Sequence, residues 1–302
     1  MRVIIFGLLV ACGGANEDLT VAEPVASSQP QPLPTVSAQP VPTQDVPPPP
    51  TYTAQRSETT TAVNFVEARK HPDAARIDVV IRSAPAWRAF PNIDPIVDLD
   101  WMTQNEDDML VFHNAPDAKI DAAIAQTARP IVVAAPNVKA WRGMINNTDI
   151  VLLRAQPHYV RIAPARHLEQ ALREIAAGPP AAPAFHTNEA LHMKILHPAG
   201  GYPVPADISE ARVWVDSRAA DSSADIYAEA DCPSPAAAAA DAVAIAEQIK
   251  RTNNIGVRIM TAGLLNNVEI VPDGNKVRLH VRATQQQIES VASIAASRFG
   301  SP

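Results

Sequence analysis

Cysteine and glycine are both scarce in this chain: two cysteines, Cys12 and Cys232, and 11 glycines in 302 residues. So few cysteines exclude a disulfide scaffold and any all-cysteine zinc site. So few glycines argue against phosphate-cradling loops. No Walker A sequence, no Gly-x-Ser-x-Gly elbow and no strand-embedded Gly-x-Gly-x-x-Gly is present, and the glycines at 7, 13 and 14 all fall in the N-terminal segment. Basic residues are not in excess either. Lysine and arginine total 25 against 32 aspartates and glutamates, a net charge of −7, and residues 63–302 hold 23 basic and 27 acidic side chains. A nucleic-acid footprint or a polybasic membrane contact needs a concentrated Lys/Arg face, so neither is expected. No apolar run approaches the length of about 20 residues that a spanning helix requires.

What is present begins at the N-terminus. Arg2 gives a minimal positive start, residues 3–11 form a short apolar stretch, and the small residues Ala11, Gly13 and Gly14 surround Cys12, as an export signal with a processing site requires. Leu9-Val10-Ala11-Cys12, followed by Gly13, resembles the lipobox of bacterial lipoproteins. That resemblance implies cleavage after residue 11, acylation of Cys12 and, since Gly13 is not aspartate, placement in the outer membrane facing the periplasm or the surface. Two acyl chains, at about 0.8 kcal/mol per buried methylene, anchor a protein stably where one does not.

Ten of the 29 prolines lie between Pro24 and Pro50, in a stretch otherwise rich in Gln, Thr, Ser, Val and Ala. Such a composition cannot bury enough apolar surface to fold. Residues 1–11 therefore read as a signal peptide, 12–62 as a lipidated N-terminus with a disordered proline-rich linker, 63–180 as a first α+β half and 181–302 as a second. Fully extended, a linker of about 50 residues at about 3.1 Å each would span on the order of 150 Å.

The fold class is α+β: antiparallel sheet with helices packed on one face, in two related halves that each end in a hairpin and a helix. Residues 76–82 have an apolar, strand-like centre, residues 109–113 are a second strand, and residues 117–128 are a helix. A hairpin over 150–162 leads into a helix over 165–176. Strands at 212–216 and 224–230 precede a helix capped by Ser234 with Pro235 at its first position. Asp273-Gly274 marks a tight hairpin. Thr284 with Gln287 makes a capping box for the last helix, whose Ile288, Val291 and Ile294 form its apolar stripe. The four tryptophans, 87, 101, 141 and 214, read as core anchors.

Three constellations test for chemistry. His186, His192 and His197 with Glu189 suggest a metal, but His192 and His197 differ by an odd number on a strand and no further ligand completes a tetrahedral set. Asp94, Asp98, Asp100, Glu106, Asp107 and Asp108 form a dense acidic run without the order of a calcium loop, and it reads as a solvated loop leading to the strand near Leu110. Cys232 sits near a helix start, where a dipole can activate a thiol, but Asp231 opposes ionisation and the reading is a small buried cysteine. No metal, cofactor or catalytic residue is assigned.

Segments 92–101, 225–232 and 277–281 resemble uncharacterised Gram-negative lipoproteins with a proline-rich linker and a two-part α+β body. The resemblance brings no activity. The expected function is a membrane-anchored, non-enzymatic binding or structural module of the cell envelope, attached through Cys12 and meeting an envelope protein partner. The alternatives are a periplasmic carrier of lipid or another apolar ligand and, more remotely, a hydrolase. A concave pocket joining an acidic residue to His113, His158 or His280 would be the first sign of the last.

Overall fold

The strand that follows the proline-rich stretch enters a sheet at its middle. The computed structural model describes residues 57–299 except 84–86, 88–89, 106–107, 146, 156–157 and 179. β1 (Glu58–Asn64) pairs antiparallel with β2 (Leu99–Asn105) on one side and β8 (Glu189–Leu196) on the other, so that Thr60 faces Asn105 and Lys194. Outward from β2 lie β3 (Asp108–His113), β7 (Tyr159–Pro164), β6 (Thr148–Arg154), β5 (Lys139–Ile145) and β4 (Ala128–Ile131). Outward from β8 lie β9 (Glu210–Arg218), β10 (Ser223–Asp231), β12 (Lys276–Ala283) and β11 (Glu269–Asp273). Among the described residues all twelve strands form one antiparallel sheet, and proline interrupts both of its edges, Pro130 in β4 and Pro272 in β11, where a missing N–H blunts further pairing.

Residues 58–62, placed in the linker by composition, are therefore sheet. Thr59-Thr60-Thr61 continues the polar character of the stretch before it, but β-branched threonine suits a pleated strand, and the buried Ala62 and Val63 fix β1 in place.

Two further sequence expectations are corrected. Residues 76–82 are not a strand: they belong to the helix α2 (Ala74–Ser83), which follows the single turn α1 (Phe65–Ala68). Arg82 Nε reaches Asp78 Oδ2 at 2.5 Å, one helical turn back. Packing of α2 against the last helix, α8 (Gln285–Phe299), overrides the strand preference of its β-branched residues. The acidic run is not a loop either. Asp94 caps the turn α3 (Pro95–Asp98) by accepting the Val97 N–H at 3.1 Å, and β2 follows at once because Leu99 and Met102 are drawn into the core.

The remaining helices are α4 (Asp117–Ile124), α5 (Leu168–Ala176), α6 (Pro235–Thr252) and α7 (Ile255–Met260). Ser234 Oγ accepts from the Ala237 N–H at 3.1 Å, and Thr284 and Gln287 cap each other's amides at 2.9 and 3.4 Å. Gly274 takes φ +59° in the β11–β12 turn, which only glycine adopts freely.

Alternation along the strands assigns the faces. Ile150 and Leu152 of β6 pack with Ile120 and Ile124 of α4, whereas Val151 and Leu153 pack with Ala171 and Ile175 of α5. Thus α4 and α5 cover opposite faces, and the helices are not all gathered on one. At the other end of the sheet, Ala238 and Ala242 of α6 pack on Ala230 and Val277, while Ile288 and Val291 of α8 pack near Val281 and Leu264.

Candidate functional site

The anchor residues, Leu9, Val10, Ala11, Cys12 and Gly13, lie outside the described residues. Within the body, the acidic run is dispersed into separate pairs. Asp98, 5 % exposed, takes Lys119 Nζ at 2.6 and 2.7 Å, Asp94 faces Arg82 at 3.1 Å, and Asp108 pairs with Arg161. Glu106 and Asp107 lie outside the described residues. No shared oxygen cage forms among the rest. Cys232 is buried, and burial together with the neighbouring Asp241 pushes its thiol up to about 12, the reverse of an activated nucleophile.

The histidines are gathered more than their spacing suggested. Buried Glu189, at the start of β8, accepts from His192 Nδ1 at 2.6 Å and from the His186 backbone N–H at 2.8 Å, with the His186 Nδ1 atom 2.5 Å from the same carboxylate. His186 Nε2 in turn meets Asp216 Oδ1 at 2.8 Å. Burial raises the Asp216 carboxyl, only partly opposed by His186. His197 stands apart, past the end of β8 at φ +49°. These pairs bind histidine to carboxylate and use the groups up on each other.

A second pairing follows strand register. His192, Trp214, Tyr227 and His280 are successive cross-strand partners on β8, β9, β10 and β12. Trp214 and Tyr227 stack at 5.3 Å, and Tyr227 and His280 at 4.7 Å. His280 Nε2 also reaches Asp225 Oδ1 at 3.1 Å. Burial would raise Asp225, but His280 and Arg218 overcome it and hold the carboxyl low. Trp214 is thus a half-exposed member of this row and Trp101 stacks on Phe112, whereas Trp87 and Trp141 are buried core anchors. On the far side of β1, β3 and β7 set His113 beside His158, ring centroids 5.5 Å apart, with Asp117 at the start of α4 close to both.

A cavity of about 340 Å³ lies between sheet and helices. Met193, Val213 and Ile226 on β8, β9 and β10 form its floor, and Leu264, Ile288 and Val291 its roof. A second cavity of about 100 Å³ beside α6 shares Val213, Ala228, Leu265 and Leu279 with it. The first is on the scale of small-molecule pockets, about 300–1,000 Å³ and mostly apolar with a few placed polar groups.

Those polar groups can be named. His71, Trp87 and Ser217 line the cavity and are 4 %, 5 % and 7 % exposed. Nε2 of His71, Nε1 of Trp87 and Oγ of Ser217 have no hydrogen-bond partner among the described residues. Nδ1 of His71 accepts the Asp73 N–H at 3.2 Å, so the ring proton sits on Nε2. Nε2 of His71, Nε1 of Trp87 and Oγ of Ser217 are themselves buried within the wall, where an unmet donor costs about 1–3 kcal/mol.

Sequence reasoning missed all three. His71 lies between α1 and α2, Trp87 between α2 and α3, and Ser217 on β9, far apart in the sequence but around one cavity. No protein-family model, no curated protein and no solved structure matches the chain.

Proposed function

We propose that the protein is a lipoprotein anchored to the outer membrane through Cys12, whose folded body binds an apolar molecule. The observation that carries this reading is the cavity of about 340 Å³ with its mostly apolar wall. A hydrocarbon portion gains about 25 cal/mol for each Å² withdrawn from water. Of the two readings left open by the sequence, a partner-binding envelope module and a periplasmic carrier, this geometry favours the carrier.

The proline-rich linker then acts as a tether that lets the body work away from its membrane. The two hairpin-plus-helix units, β6–β7 with α5 and β11–β12 with α8, fit descent from one ancestral half. The hydrolase reading keeps one sign, since His280 lines the cavity and meets Asp225, but it is less favoured because Arg218 also holds that carboxylate.

Val213 borders both cavities, so Val213→Phe places an aromatic ring in the shared space. The full chain in detergent is expected to bind a fluorescent acyl probe, to release it to an unlabelled fatty acid, and to lose at least about 10-fold in affinity on this substitution, about 1.4 kcal/mol. The thermal midpoint of the variant should be unchanged or higher. No probe binding by the folded wild-type chain, or equal binding by the variant, would overturn the proposal.

A further inference from the structure

The cluster His113, Asp117 and His158 is separate from the cavity, and its side chains are arranged as metal ligands are. His113 is 1 % exposed. Its Nδ1 lies 2.9 Å from the carbonyl oxygen of Ala115 and donates to it, which places the lone pair on Nε2. That Nε2 is buried and has no hydrogen-bond partner among the described residues. It points toward Asp117 Oδ1, 3.8 Å away.

The other two ligands are held by their surroundings. Asp117 Oδ2 pairs with Arg154 Nη1 at 2.8 Å, and Oδ1 accepts the backbone N–H of His158 at 3.2 Å. Arg154 is itself engaged by both oxygens of Asp121, at 2.6 and 2.7 Å, so Asp117 is not the sole counter-ion of that guanidinium. The His158 ring is tied by Nδ1 to the carbonyl oxygen of His113 at 3.1 Å, and the His113 N–H donates to the carbonyl of His158 at 3.0 Å. Partners of this kind fix tautomer and orientation in metal sites.

One ligand atom from each of the three residues lies within 4.8 Å of the other two. A zinc ion at about 2.0–2.2 Å from each ligand would draw them to about 3.3–3.6 Å from one another, a closure that side-chain torsions supply. We infer that His113, Asp117 and His158 form a binding site for one divalent transition-metal ion of the zinc class. Two imidazoles and a carboxylate suit such an ion better than calcium or magnesium, which take oxygen ligands. His113 is buried, Asp117 half-buried and His158 exposed, so the fourth position faces solvent, open to water or to a ligand group from a partner.

The test is equilibrium dialysis of the full chain in detergent against zinc chloride alone, with bound metal measured per chain. His158 is exposed at φ +67°, which asparagine tolerates, so His158→Asn removes a ligand without disturbing the fold. The wild type should bind one zinc per chain at this site, and His158→Asn and Asp117→Asn should each weaken it at least about 10-fold, with circular dichroism unchanged. His192→Asn, in the other histidine cluster, should leave that binding intact. Zinc should also raise the thermal midpoint of the wild type but not of His158→Asn. Folded wild type that takes up no zinc, or uptake that His192→Asn abolishes and His158→Asn does not, would overturn the inference.

Discussion

Arg161 on β7 and Asp108 at the start of β3 meet on the face of the sheet that α5 covers, Nε to Oδ1 at 3.2 Å, and Glu174 of α5 closes the group from above. Arg161 is 7 % exposed, and burial raises the Asp108 carboxyl despite this partner. Arg161→Ala would leave that carboxylate without its cation, so it should cost about 3 kcal/mol, as loss of one member of a buried pair does. Urea denaturation at pH 7 measures it. Arg142→Ala, which breaks the exposed pair with Asp149, should leave the midpoint unmoved, and equal effects of the two substitutions would contradict the assignment of burial as the cause.

Cys232 yields a prediction about reactivity. With its thiol held near 12 against an ordinary 9.0, the native chain at pH 8 should not react at this position with a thiol reagent, while the urea-unfolded chain reacts fully. The sign follows from the raised folded value. Its stabilising contribution is complete below pH 9 and is lost as pH rises toward 12, so Cys232→Ala should show a shallower alkaline loss of stability than the wild type. Rapid native labelling of Cys232 at pH 8 would refute this.

Glu229 on β10 works in the opposite direction. Burial would raise its carboxyl, but Lys276 Nζ at 3.0 Å and Arg278 Nε at 2.9 Å prevail and hold it below the ordinary 4.5. A depressed folded value stabilises above the unfolded value and fades as pH falls through the folded one. Glu229→Gln should therefore cost about 0.5–1 kcal/mol at pH 7, with the lysine and arginine partly exposed, and the gap should narrow below about pH 4. A gap constant from pH 7 to pH 3 would show that the ion pair is not its source.

What was legible in the sequence was local. The β6–β7 and β11–β12 hairpins, the Ser234 cap and the Thr284–Gln287 box each depend on a few neighbouring residues, and the structure has them all. Residues 76–82 were misread because a short β-branched run fits a strand as well as a helix, and the deciding contact, α2 on α8, comes from some 200 residues away. β1 was missed because its threonines match the composition of the linker. The cavity and the His113–Asp117–His158 cluster depend on segments distant in the sequence coming together, although His113 and His158 could be named beforehand as residues to watch.

The central place of β1 governs the order in which this sheet can close. Its β2 neighbour is synthesised within about 40 residues, but the β8 side has no partner until more than 120 further residues exist. During that interval the half-made sheet presents a bare strand edge, open to pairing with another chain. Once β8 is in place, the exposed edges fall to β4 and β11, each interrupted by a proline.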